Sequence, residues 1–176
     1  MIIDRQLLTA EAAKTAFREE ILEKVILLMD LLEAFSMHSF LKDRLVLKGG
    51  TALNLFYFNL PRLSVDIDLN YIGSNDRDVM QRERLQIEET INLICQQKNY
   101  RISKLPSGHA GGKIIIRYQS LLGHTGNLQV DINYMFRQPL LPLQLRKSPE
   151  LAGIQVEYLV LDINELAAGK LSALFS

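Results

Sequence analysis

A diglycine, followed one short helix later by a strand of alternating polar and apolar residues, constrains this chain more than any other feature. Residues 47–53 read LKGGTAL and residues 62–69 read RLSVDIDL. Successive side chains of a strand point to opposite faces, so one face of the second segment is apolar and the other is polar. The polar face carries Arg62, Ser64, Asp66 and Asp68. Such a strand can bury one face in a core and hold a cation on the other.

Composition excludes several classes of protein. With 176 residues, 48% of them hydrophobic, the chain is long enough to bury a core within one domain. Lys plus Arg and Asp plus Glu both number 20, so no overall basic field indicates a nucleic-acid partner. The single Cys95 excludes an internal disulfide and cysteine-based zinc sites. No apolar run reaches the roughly 20 residues of a membrane span, and the N-terminus lacks a signal-peptide pattern, so we expect a cytoplasmic protein.

Hydrophobic periodicity predicts the first half of the fold. Apolar residues at helical spacing indicate one long amphipathic helix from about Ala10 to Phe35, with Thr9 as a possible cap. An apolar strand over 45–47 precedes the glycines, and residues 51–58 are expected to form a helix that Pro61 ends. The order is strand, glycine turn, short helix and alternating strand.

The second half alternates between helix and strands. A charged helix is predicted over 76–98, with an apolar stripe that includes Leu85. Three strands are predicted over 100–105, 113–118 and 128–134, joined by glycine-rich hairpin loops. A further strand is predicted over 154–160. Asp162 and Glu165 have the spacing of a capping box that opens a last helix.

Asp131 supplies a third carboxylate for the polar face. It lies on one face of the predicted strand 128–134, and if that strand pairs beside the first, it meets Asp66 and Asp68. Oxygen ligands suit Mg²⁺, and three carboxylates can hold two such ions for a nucleotidyl transfer. The glycines would let phosphate oxygens approach the backbone, and Thr51 would hydrogen-bond a phosphate.

Each of these motifs also has a simpler interpretation. A diglycine before a helix is commonly turn chemistry, and an Asp-x-Asp strand is commonly a solvated face. Lys48 either touches a phosphate or is solvated, while Arg62 and Ser64 either serve the nucleotide or neutralise the aspartates. A calcium loop is excluded because Tyr71 and Arg77 replace its glycine and glutamate. A haloacid dehalogenase-type phosphatase fits poorly, because its aspartates head a parallel sheet.

Other basic residues are scattered along the chain. They either assemble an RNA-contacting patch or form ordinary surface. These residues are Arg82, Arg84, Arg137, Arg146 and Lys147.

The glycine and aspartate motifs, together with a third segment, resemble a known family. The segments are GGTAL at 49–53, R-x-S-x-D-x-D-L at 62–69, and E-x-x-A-x-K-L-x-A-L at 165–174. They are similar to successive motifs of the AbiEii/AbiGii-type nucleotidyltransferases, toxins of bacterial toxin–antitoxin and abortive-infection systems. The resemblance implies an α+β fold of the DNA polymerase β-like nucleotidyltransferase type, with a mixed sheet flanked by helices.

The resemblance also implies roles for individual residues. By the resemblance, Gly50 and Thr51 would line the NTP phosphates. From their positions in the motifs, we also expect Lys48, Gly49, Arg62 and Ser64 to belong to the nucleotide site. Asp66, Asp68 and Asp131 would hold Mg²⁺, and Lys170 would contact the nucleotide. The expected activity is magnesium-dependent transfer of an NMP from an NTP to a tRNA or protein acceptor, with a cognate antitoxin as partner.

The expected organisation has three parts. Residues 1–44 form a helical segment packed on a nucleotidyltransferase core at 45–160, and residues 161–176 begin a C-terminal helical region that is cut short. Family members continue beyond the lysine helix, so we expect a piece of a longer protein. Two alternatives to the transferase remain open. One is a non-catalytic nucleotide-binding or interaction module of the same fold, and the other is a metal-dependent phosphodiesterase.

Overall fold

The computed structural model describes residues 3–58, 62–104 and 111–174. These residues form α-helices, one π-helix and the strands of a single sheet. The helices are α1 Arg5–Thr15, α2 Glu19–Met37, α3 Gly49–Thr51, the π-helix Ala52–Tyr57, α4 Arg77–Gln97 and α5 Ile163–Leu174. The strands are β1 Leu45–Lys48, β2 Asp66–Tyr71, β3 Arg101–Lys104, β4 Gly111–Gln119, β5 Thr125–Asn133, β6 Gln144–Lys147 and β7 Glu157–Val160. None of the helices within these ranges has the length and apolarity needed to cross a bilayer.

The strands form one mixed sheet in the order β3-β4-β5-β2-β1-β7-β6. β2 pairs with β5, and β1 pairs with β7, in parallel; the other neighbours are antiparallel. The central strands β2 and β5 are therefore adjacent although α4, β3 and β4 separate them in the chain. This α+β architecture with a mixed sheet agrees with the predicted fold class.

The two faces of the sheet differ in chemistry. Alternate residues of the central strands, such as Ile67, Val130 and Ile114, are buried on one face. Helix α2 packs along this face against β5 and β7, and α4 contacts β3. The intervening residues of β2, β4 and β5 are mostly polar and lie on the opposite face. One side of the sheet thus belongs to the core, and the other presents polar groups.

The predicted long N-terminal helix is wrong in one respect, because it is two helices. Helix α1 ends at Ala16, which adopts a left-handed conformation with φ 59°, and α2 begins after the extended Arg18. Thr9 is not a cap: the Asp4 side chain accepts the N–H of Leu7 at 2.8 Å. The Thr9 hydroxyl instead donates to Glu19 at 2.7 Å, which links the two helices.

The diglycine begins a helix rather than a flexible turn. Helix α3 starts at Gly49 and continues directly into the π-helix, in which the N–H of Phe58 donates to the Leu53 carbonyl at 2.9 Å. The guanidinium of Arg146 lies over the Tyr57 ring, 4.2 Å from its centroid, and donates to the Phe56 carbonyl at 2.8 Å. Strand β6 therefore braces the end of the π-helix.

Three further differences concern the strands and α4. β2 begins at Asp66, so Arg62 and Ser64 precede the strand instead of lying on it. β6 was not predicted, because prolines flank it and it lies at the edge of the sheet. The predicted stripe of α4 is wrong at Leu85, which is 70% exposed, whereas Ile87 is buried. The β4–β5 hairpin is antiparallel as predicted.

The predicted loop between the first two hairpin strands lies mainly at 105–110, outside the described residues. The last helix does begin after Asp162, whose carboxylate accepts the N–H of Asn164 at 2.9 Å. The reciprocal half of the capping box is wrong. The Glu165 carboxylate accepts the N–H groups of Leu140 and Leu141, each at 3.1 Å, and so ties that loop to α5.

Candidate active site

Four charged residues form one row across four neighbouring strands. Lys48 lies opposite Asp68, and Asp68 lies opposite Asp131. Asp131 in turn lies opposite Lys113 of β4. Residues directly opposite one another share a face of the sheet, and neighbouring strands are about 4.8 Å apart. The row therefore places two adjacent carboxylates between two ammonium groups.

Asp66 adds a third carboxylate to the same face. It lies two residues before Asp68, about 6–7 Å away along the strand, and opposite Gln129 of β5. The parallel pairing of β2 with β5 brings Asp131 beside the other two aspartates, as the alternation of the sequence predicted. We call Asp66, Asp68 and Asp131 the carboxylate cluster.

Electrostatics at the centre of this cluster favour a proton or a cation. Burial raises the pKa of Asp68 above its ordinary value of 3.8, and the neighbouring carboxylates of Asp131 and Asp66 raise it further. Lys48 and Lys113 act in the opposite direction without cancelling the effect. The site thus carries an excess of negative charge that a bound cation would neutralise.

The two glycines allow the backbone to approach the cluster. Gly49 has φ 74°, and a Cβ added there would overlap the Asp68 carboxylate. A Cβ at Gly50 would lie 3.0 Å from the Ser64 hydroxyl. Residues without side chains are therefore required for α3 to lie directly against Asp68 and the segment that leads into β2.

Thr51 fixes the start of β2. Its side chain is fully buried, and its hydroxyl donates to the backbone carbonyl of Asp66 at 2.5 Å. The expected hydrogen bond from this hydroxyl to a phosphate would compete with that contact. In the structure Thr51 is a positioning residue, which holds the first aspartate strand against α3.

The remaining predicted site residues differ in how close they lie to the cluster. Ser64 is half-buried beside Gly50, while Arg62 is exposed ahead of β2. Lys170 is exposed on α5. That helix follows β7, whose next residue, Leu161, donates its N–H to the Leu47 carbonyl at 3.0 Å. α5 therefore starts near the glycine end of β1, but no contact within the described ranges joins Lys170 to the aspartates.

The carboxylate cluster suits a hard divalent cation by its chemistry. Its donors are oxygens only, and the carboxylates of Asp68 and Asp131 lie side by side on adjacent strands. Across the described parts of the chain, no three acidic, histidine or cysteine side chains already converge as a complete ligand set. Asp68 and Asp131 lie directly opposite each other, and Asp66 lies on the same face.

Two cavities lie elsewhere and contain none of these carboxylates. One of about 450 Å³ is lined by residues from the end of α2 and from β7, including Glu33 and Tyr158. The other, of about 550 Å³, lies between α2 and the end of α4, and includes Asp30 and Lys98. The carboxylate cluster instead lies on the open polar face of the sheet. Its chemistry, rather than concavity, makes it the candidate site.

Lys113 is the residue of the row that the sequence interpretation missed. It was recognised only as the first residue of a predicted strand. The available signal was alternation, because Lys113, Ile115 and Arg117 share the face opposite the buried Ile114 and Ile116. What alternation does not give is register, and only the register of β4 on β5 places Lys113 opposite Asp131.

The chain is similar to known proteins in both sequence and fold. Residues 30–176 match the family model described as "Nucleotidyl transferase AbiEii toxin, Type IV TA system". The structure is similar to MenT4, a nucleotidyltransferase toxin from Mycobacterium tuberculosis H37Rv, with a TM-score of 0.65 and 21% identity. The match covers 98% of this chain and 59% of that chain, and it confirms the predicted fold. A search of curated proteins gives no match.

Proposed function

We propose that this chain transfers an NMP from an NTP to an RNA or protein acceptor. The chain belongs to the AbiEii family of nucleotidyltransferase toxins of type IV toxin–antitoxin systems. Its membership confirms the resemblance identified from the motifs. The observation that carries the proposal is the register of β2 on β5, which sets Asp68 opposite Asp131 with Asp66 on the same face. This arrangement gives a metal-dependent transferase the carboxylates that it needs.

In this proposal Asp68 and Asp131 hold Mg²⁺, with Asp66 as the third ligand. Bound there, one or two Mg²⁺ ions would supply charge neutralisation at the transferring phosphate and activation of the attacking hydroxyl. The raised pKa of Asp68 supports this assignment, since a cation stabilises the charged form that burial and the neighbouring carboxylates disfavour. The chain's own part is to hold the carboxylates on one face of adjacent strands, where they would bind the ion.

The groups around the cluster would bind and orient the NTP. Gly49 and Gly50 bring the backbone of α3 against Asp68 and Ser64, so phosphates bound along this backbone would lie beside the cluster. Lys48, opposite Asp68, would bind the leaving phosphates. Thr51 acts through the backbone of Asp66. We assign Arg62, Ser64 and Lys170 to the outer part of the same nucleotide site, with Lys170 reaching from α5.

The reaction follows the chemistry of a nucleotidyl transfer. A hydroxyl oxygen of the acceptor forms a bond to the α-phosphorus of the NTP, and the bond from that phosphorus to the β-bridging oxygen breaks. Pyrophosphate leaves, and the carboxylate cluster takes up the proton that the hydroxyl loses. Positive charge from Lys48 opposes the charge that develops on the leaving group. The product is an acceptor that carries one additional NMP.

The biological role proposed from the family is that of a toxin held in check by a cognate antitoxin. We propose the same organisation that the sequence predicts, with a helical segment at 1–44, a nucleotidyltransferase core at 45–160 and a C-terminal helical segment at 161–176. The chain spans about three fifths of the length of MenT4, at 59% of that chain.

Labelled transfer tests the proposal directly. The protein is incubated with each α-labelled NTP, Mg²⁺, total cellular RNA and total cellular protein, and products are separated by class. We expect label on an acceptor with the wild-type protein and its loss with Asp66→Asn/Asp68→Asn. The matched control is Asp43→Asn/Asp78→Asn, which removes the same charge from two exposed residues outside the cluster. It should transfer at the wild-type rate.

The same assay separates the alternatives. Bound nucleotide without transfer to any acceptor would favour a non-catalytic nucleotide-binding module. Metal-dependent release of nucleotides from RNA, with no incorporation of label, would favour a phosphodiesterase that directs water to the same carboxylates.

A further inference from the structure

Two arginines lie directly opposite each other on the open polar face of the sheet. Arg101 of β3 pairs with Arg117 of β4, and both side chains are exposed. The flanking pair, Ile102 and Ile116, points to the core side. Like charges directly opposite each other on antiparallel strands destabilise the pair, so nothing in the folding of the sheet favours this arrangement. An anionic ligand would relieve the repulsion.

This pair lies on the same face as the carboxylate cluster. Along β4, Lys113 and Arg117 are four residues apart and share a face, which separates them by about 13 Å. Lys113 is opposite Asp131, so the cluster connects to the arginines along a single strand. We call Arg101, Lys113 and Arg117 the basic strip. It begins on β4 beside the reacting centre and ends on β3, the edge strand of the sheet.

The two arginines have no competing role in the fold. Within the described ranges, neither forms an ion pair with a carboxylate, whereas Arg44 and Arg84 each form one at 2.8 and 2.9 Å. Two further arginines of the set that the sequence first indicated are also occupied. Arg137 donates to the Tyr134 and Asn75 carbonyls, and Arg146 holds the π-helix. The charges of Arg101 and Arg117 thus remain available to a ligand.

We propose that the basic strip binds the sugar-phosphate backbone of a nucleic-acid acceptor and directs its reactive end to the carboxylate cluster. This inference rests on the proposed nucleotidyl transfer and decides between its two acceptor classes in favour of nucleic acid. Paired guanidinium groups suit phosphodiester oxygens, and their distance from the cluster suits a chain that extends beyond the reacting end. The net charge of zero means that this attraction is local.

Binding measured at several salt concentrations tests the strip. The full chain is titrated with fluorescently labelled bulk tRNA and, separately, with a short single-stranded DNA. Losing two phosphate contacts should reduce the slope of log K against log salt by about 1.5 in Arg101→Gln/Arg117→Gln. The charge-conserving Arg101→Lys/Arg117→Lys should keep most of the slope. Tighter binding to the tRNA or to the single-stranded DNA identifies which nucleic acid the strip binds.

The matched control is Arg5→Gln/Arg77→Gln, which removes two exposed arginines away from this face. It should bind both probes as the wild type does. Equal slopes of log K against log salt for Arg101→Gln/Arg117→Gln and for Arg5→Gln/Arg77→Gln would overturn the proposal. Transfer of label to protein while neither nucleic acid binds would also overturn it. The carboxylate variants separate this result from the transfer itself. If Asp66→Asn/Asp68→Asn abolishes transfer but still binds tRNA through the strip, both proposals stand; if the strip binds tRNA but no transfer occurs in any assay, only the transferase fails.

Discussion

The Thr51 hydroxyl donates to the backbone carbonyl of Asp66 across a gap of 2.5 Å, and so joins the helix that follows the diglycine to the first residue of the carboxylate strand. The contact connects two segments that the sequence interpretation treated separately. It means that a change in the glycine helix is transmitted to the position of an aspartate without passing through any bound ligand.

Replacing Thr51 should therefore affect catalysis through Asp66. Thr51→Val removes the donor and should lower the free energy of unfolding by about 1 kcal/mol. Thr51→Ser keeps the donor and removes one buried methyl group, at a similar cost of about 1 kcal/mol. We expect transfer to fall only in the valine variant. Urea unfolding and initial transfer rates measure the two effects, and equal rates in both variants would contradict a positioning role.

Gly49 and Gly153 provide a matched pair for the cost of a side chain. Both have positive φ, at 74° and 78°, but only at Gly49 would a Cβ meet another group, the Asp68 carboxylate. Gly153→Ala should cost about 1–2 kcal/mol for its backbone conformation alone. Gly49→Ala should cost more and should also weaken nucleotide binding. Thermal unfolding and NTP titration compare them; equal costs and intact binding in both would contradict the close approach described here.

Asp68 should make the metal-free protein less stable as the pH rises. Burial raises its pKa above 3.8, so the folded state holds a proton that the unfolded state has released. Its stabilising contribution is complete below about pH 3.8 and is lost as the pH rises through the raised pKa. In EDTA, the stability of Asp68→Asn relative to the wild type should increase as the pH rises from about 3.8 through the raised pKa of Asp68. Unfolding at a series of pH values measures the difference, which Mg²⁺ should reduce or reverse.

Glu83 should respond to pH in the opposite sense. Burial alone would raise its pKa, but hydrogen bonds from Arg44 at 2.8 Å and Tyr71 at 2.6 Å outweigh burial and lower the pKa below 4.5. Its contribution is present above pH 4.5 and is lost as the pH falls through the lowered value. Glu83→Gln should therefore flatten the acid side of the stability profile. Free energies of unfolding measured at a series of acid pH values test this. The same pH dependence in Glu83→Gln and the wild type would exclude a stabilising contribution from ionised Glu83.

Much of the fold could be predicted from periodicity and glycine placement, because these report on local geometry. The charged helix after Asp76 and the β4–β5 hairpin appear where alternation and helical spacing indicate them. The break at Ala16 could not be found, since alanine carries no signal for a left-handed conformation. β6 was missed because an exposed edge strand needs no apolar alternation, and only pairing with β7 defines it.

The residues of the candidate site could be predicted from the sequence more completely than their arrangement. The carboxylates of β2 and β5 could be identified because each lies on the polar side of an alternating strand. The opposing lysine of β4 and the arginine pair depend on register, which a single sequence does not encode locally. The burial of Thr51 and its hydrogen bond to the Asp66 carbonyl could not be predicted either, because both depend on how α3 packs on β2.

The parallel pairing of β2 with β5 also has a consequence for how the protein is made. Asp68 leaves the ribosome well before Asp131, with a helix and two strands synthesised between them. Loop closure over that span must precede the contact between the strands, so the pairing is a late event in folding. A nascent or prematurely released chain that ends before β5 contains two of the three carboxylates and lacks the strand that completes them. The cell that makes this protein is thus exposed to the assembled centre only after synthesis has passed that strand.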